Sequence, residues 1–81
     1  MDIAEALDAL KNPKNVRFDE LLKICRAFFG EPRLSGGSHH VFRVPWQGEP
    51  YVNVQRDGKH AKPYQVKQVA RALRKLQEMR P

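Results

Sequence analysis

Two changes of hydrophobic period divide this chain. Up to Gly30 the apolar residues recur at helical spacing, from Pro32 they alternate along short segments broken by glycine and proline, and from Pro63 the helical spacing returns. Side chains repeat every 3.6 residues round a helix and every two along a strand, so a segment patterned for one cannot bury its apolar side as the other. The chain is thereby directed to helices at both ends and antiparallel sheet between them. Such an order packs as an α+β domain of two layers, with helices on one face of the sheet and the other face more open.

Ile3, Ala6, Leu7 and Leu10 mark a short amphipathic helix over residues 2–11, closed by Asn12-Pro13. A helix of that length has to dock on something. Phe18, Leu21, Leu22, Cys25, Phe28 and Phe29 mark a second helix over 17–29, with Asp19 and Glu20 in its first turn and Gly30 as its stop. Strands are expected at 33–35, 39–44 and 51–55, joined by Gly36-Gly37 and by a hairpin loop at 45–50. A turn at 56–59 leads to a last helix from Pro63, whose buried stripe is Val66, Val69, Ala70, Leu73 and Leu76. With 81 residues the chain is read as one domain, 1–14 forming the leading helix and its linker and 17–77 the core.

One cysteine excludes an intrachain disulfide, and Cys25, on an apolar stripe, is expected to be a buried small hydrophobe. The histidines and cysteine show no zinc-type spacing, so no metal or other cofactor is expected. No stretch approaches the ~20 apolar residues of a membrane span, and the start carries no secretory pattern, which reads as cytoplasmic. Charge is uneven: residues 1–31 hold five Lys/Arg and six Asp/Glu, whereas residues 32–81 hold ten and three. The basic half points to a polyanionic partner, nucleic acid or acidic protein.

That half also holds the histidines. His39 and His40 follow Gly36-Gly37-Ser38 and open a strand, and imidazole is the side chain that exchanges protons near neutral pH. Alternation puts Phe42, Val44, Val52 and Val54 on the core face, and therefore His39, Arg43, Tyr51, Asn53 and Gln55 on the open face. His39 becomes the candidate catalyst and His40 a supporting residue. Lys59, His60 and Lys62 precede the last helix, and Lys67, Arg71, Arg74 and Lys75 form a basic stripe along it that suits phosphates. Trp46 and Tyr51 are candidates for stacking on bases or for packing in the hairpin.

Gly37-Ser38-His39 followed by Val41-Phe42-Arg43, a Val52-Asn53-Val54 strand, a Gly58-Lys59 turn and a basic amphipathic helix resembles the HicA family of bacterial toxins, over about residues 17–77. The resemblance implies a fold like the double-stranded-RNA-binding domain, metal-independent cleavage of messenger RNA, a catalytic His39, and silencing by a HicB-like antitoxin protein. RNA contacts are expected from Ser38, Arg43, Lys59, Lys62, Lys67 and Arg71, with Gly37, His40 and His60 in support. The chain departs from the family in carrying Pro63-Tyr64-Gln65-Val66 where a Gly-Thr-Leu step is common, and in its leading helix. Two rival readings keep the fold without the chemistry: an RNA-binding module of the double-stranded type, and a protein-interaction domain with a basic face.

Overall fold

The computed structural model describes residues 1–34, 39–46 and 51–79, with Tyr51 described in its backbone alone. The expected Gly36-Gly37 connection, Ser38 and the hairpin loop beyond Trp46 lie outside the described residues. The chain is α+β, with a helix, a three-stranded antiparallel sheet and a helix, preceded by an extra helix.

Helix α1 spans Ile3–Ala9. The Asp2 carboxylate accepts from the Glu5 N–H at 2.8 Å, and the Asp2 N–H is donated to Glu5 Oε1 at 3.4 Å, which satisfies two donors that the first turn leaves free. Seven residues cannot sustain a helix alone. Ile3, Ala6 and Leu10 are buried in the common core, where α1 packs against the last helix, α3 (Pro63–Met79).

Helix α2 spans Phe18–Phe29, and Gly30 ends it at φ 82°, a conformation that glycine adopts without strain. Phe18, Leu21, Ile24 and Cys25 are its buried face. Ile24 is a correction to the expected stripe: it is fully buried, while Leu22, Phe28 and Phe29 are half-buried at the margins. Burial pushes the Cys25 thiol up to about 12. A thiol stays protonated below its pKa, so Cys25 is expected to resist iodoacetamide in the folded protein from neutral pH to about pH 10, whereas a free cysteine near 8.5 reacts as pH climbs through 8. Mass spectrometry with and without denaturant reads the difference.

Strands β1 (Arg33–Leu34), β2 (His40–Arg43) and β3 (Tyr51–Val54) form the meander in that order. The register pairs His40 with Val54 and Phe42 with Val52. Phe42, Val44, Val52 and Val54 are buried and Arg43 and Asn53 exposed, as alternation requires.

The expected turn at 56–59 is more than a turn. Arg56–Asp57 and His60–Ala61 are short strands, β4 and β5, paired about Gly58-Lys59. Gly58 has φ 63° while Lys59 has no positive φ, the type II′ pattern that suits a two-residue hairpin. Arg17 at the start of α2 provides no side-chain cap. Instead the Phe18 N–H is donated to the Lys59 carbonyl at 3.0 Å and the Ala61 N–H to the Val16 carbonyl at 2.9 Å, so the hairpin clamps the helix start.

Helix α3 buries Val66, Val69, Ala70, Ala72 and Leu73 together with a polar residue, Gln65. Gln65 Oε1 accepts from the Gln55 N–H at 2.7 Å, and Lys62 Nζ donates to Gln55 Oε1 at 3.0 Å. These bonds tie the first turn of α3 to the end of β3. Among the described residues no helix is long and apolar enough to cross a membrane.

Candidate nucleic-acid site

His39 immediately precedes β2 and is half-buried. It lines an open cleft of about 440 Å³ with Val41 and Asn53 from the meander and Tyr64, Gln65 and Gln68 from α3. His40, one residue on, turns to the core side, where its ring centroid lies 5.5 Å from that of Phe18. The Arg56 guanidinium sits 4.5 Å from the same Phe18 centroid while pairing with Asp19 at 3.3 Å. The two imidazoles, adjacent in sequence, thus have different tasks: His39 opens to a cleft and His40 packs.

The basic residues divide into separate groups. Arg43 is exposed on the open face, four residues along the strand from His39 and so about 13 Å away. A phosphate beside His39 is out of its reach, although a neighbouring one is not. Lys59 is exposed in the β4–β5 turn, and His60 is exposed on β5 opposite Asp57. Lys62 is half-buried with its ammonium held by Gln55, which gives it a structural task beside any electrostatic one.

The stripe on α3 does not run into the cleft. Lys67, Arg71 and Arg74 line a groove of about 290 Å³ with Leu10, Lys11, Pro13 and Ala70, on the flank where α3 meets α1 and the 3₁₀ turn Pro13–Asn15. At 100° per residue, Lys67 and Arg74 lie roughly 100–120° round α3 from Gln68, with Tyr64 and Arg71 on the solvent side between them. Lys75 leaves the stripe altogether, its Nζ 4.9 Å from the Trp46 ring centroid. Trp46 is half-buried and packed against the core, with the Lys75 ammonium over its ring; the hairpin loop itself lies outside the described residues. The Tyr51 side chain, Gly37 and Ser38 lie outside the described residues.

Sequence reasoning missed the part that Tyr64, Gln65 and Gln68 play in the cleft. Tyr64 is 64% exposed, a ring left in solvent at the mouth of the cleft. Its signal was present: an aromatic residue directly after Pro63 on the polar side of an amphipathic helix. Among the described residues no cluster of three His, Cys, Asp or Glu side chains is arranged to hold a metal ion.

Fold and site together define a small α+β domain with a histidine at the mouth of an amide-lined cleft and a basic groove on another flank. No protein-family model, curated protein or solved structure matches the chain.

The basic groove yields a direct expectation. If the flank tracks phosphates, Lys67→Gln with Arg71→Gln weakens single-stranded RNA binding regardless of sequence and flattens the log Kd against log salt slope by about 1.4, or roughly 0.7 for each phosphate no longer neutralised. Fluorescence anisotropy from low to moderate salt measures the slope, and an unchanged slope removes the groove from the RNA footprint.

Proposed function

We propose that this chain is a small toxin ribonuclease of the HicA type, cleaving messenger RNA without a metal through His39 and silenced by an antitoxin protein that covers the cleft or the basic groove. The observation that carries the reading is the contrast between the histidines: His39 stands at a solvent-reachable cleft, while His40 is committed to Phe18. RNA contains its own nucleophile. Attack of a 2′-hydroxyl on the adjacent phosphorus needs a group to take a proton and one to return it, and a positioned imidazole does either. Cations favour the charge that develops on the phosphate; among the described residues no Lys or Arg lines the cleft, so the basic residues would act on phosphates further along the RNA strand.

The test is incubation of the protein with mixed-sequence single-stranded RNA in excess EDTA, followed by analysis of fragment ends. Fragments ending in 2′,3′-cyclic phosphate are expected. Intact RNA that is nonetheless bound, with affinity falling steeply in salt, favours a non-catalytic RNA-binding module. The placement of Lys67, Arg71 and Arg74 away from His39 is the observation that keeps this second reading in view.

A further inference from the structure

The cleft beside His39 has the wrong chemistry for a phosphate. Among the described residues, none of the five that line it with His39 is charged, whereas phosphate sites are built from Lys, Arg or clustered backbone donors. Its chemistry is that of a base site: one exposed aromatic ring, Tyr64, and three amides, Asn53, Gln65 and Gln68. Primary amides carry donor and acceptor side by side, matching the hydrogen-bonding edges of nucleobases, and every base has a face on which an aromatic ring stacks.

Gln65 makes this a constructed site. It is 3% exposed, and its Oε1 receives the Gln55 N–H. A backbone N–H can be received only by the amide oxygen, so the orientation of the group is set and Nε2 is the end left for the cleft. Helix and strand thus hold a donor in one place before any ligand arrives. About 440 Å³ falls within the range of small-ligand sites and accommodates a base with its sugar.

We infer that the cleft is a nucleobase subsite, taking one unpaired base next to the phosphate presented to His39, with Tyr64 stacking on the base and the Gln65 Nε2 donor meeting an acceptor on its edge. The inference rests on the reading of RNA as the substrate, and it narrows that substrate to unpaired strands, because a base in a duplex cannot leave its stack without loss of pairing. It also makes the cut site dependent on base identity, since a donor held in place favours bases with an acceptor at that position.

The probe is a 2′-O-methylated trinucleotide, which lacks the nucleophile and so stays intact, titrated into ¹⁵N-labelled protein. The side-chain NH₂ signals of Asn53, Gln65 and Gln68 are expected to shift. Tyr64→Ala is expected to weaken binding roughly 5- to 150-fold, the usual worth of one base stack, and Tyr64→Phe, which keeps the ring, to restore it. A trinucleotide with an abasic central residue is expected to lose as much. Equal binding of the intact and abasic trinucleotides, or of wild type and Tyr64→Ala, overturns the subsite. If RNA is still cut in EDTA in that case, the ribonuclease reading survives without it. Base binding that depends on Tyr64 in a protein that cuts nothing keeps the subsite and removes the enzyme.

Discussion

His39→Ala is expected to slow RNA cleavage by about 10²–10⁴-fold, the usual contribution of one positioned proton-transfer group, and to leave the thermal midpoint unchanged. The side chain is half-buried at the rim of a cleft and belongs to no part of the apolar core, so its loss opens no internal void. His40→Ala provides the contrast. Its ring packs on Phe18 and its strand position faces Val54, so removal is expected to cost stability, about 1 kcal/mol, with little change in rate. Initial rates on a quenched fluorescent RNA in EDTA, set beside thermal midpoints, separate the two effects. Equal loss of rate in both variants, or none in His39→Ala, would sink the assignment of His39.

Phe18→Ala is expected to have the largest effect on stability, about 3–5 kcal/mol, as for other fully buried phenylalanines. Phe18 is 1% exposed. It carries the His40 ring and the Arg56 guanidinium, and its own N–H anchors the β4–β5 hairpin through Lys59. The loss is a large share of the stability of a domain this size, about 4–12 kcal/mol, so the variant is expected to unfold at a much lower urea concentration than the wild type. Phe28→Ala, at a half-buried site, is expected to cost less. Urea midpoints read both, and a shift for Phe18→Ala no larger than for Phe28→Ala would show that the ring is not central to the core.

The helices and the meander were legible because their burial is local in sequence: Val66, Val69, Ala70 and Leu73 share a helix face, and Phe42, Val44, Val52 and Val54 a sheet face, by spacing alone. The same parity separated His39 from His40. The β4–β5 hairpin was not legible as strands, since two residues are too few to show a period and its anchor lies some forty residues earlier at Val16 and Phe18. Gln65 gave no sign of burial, because its partner is a backbone N–H at Gln55 that no periodicity links to it. The basic stripe was visible, but its direction was not: which flank of α3 meets α1 and which meets the sheet is settled by packing between distant segments.

The bonds that join Val16 and Phe18 to Ala61 and Lys59 have an architectural consequence. They bring two distant points of the chain side by side, so everything between them, most of α2 and the whole meander, is a closed excursion that leaves from and returns to one junction. The excursion is no separate lobe: Leu21, Ile24, Phe42, Val52 and Val54 within it share one apolar core with Val66, Val69 and Leu73 beyond the neck. His39, just before β2, belongs to that excursion, whereas Tyr64 follows directly beyond the neck, on the helix that leaves it. The two walls of the cleft therefore come from opposite sides of one junction, so the width of the cleft is set by how the neck holds them.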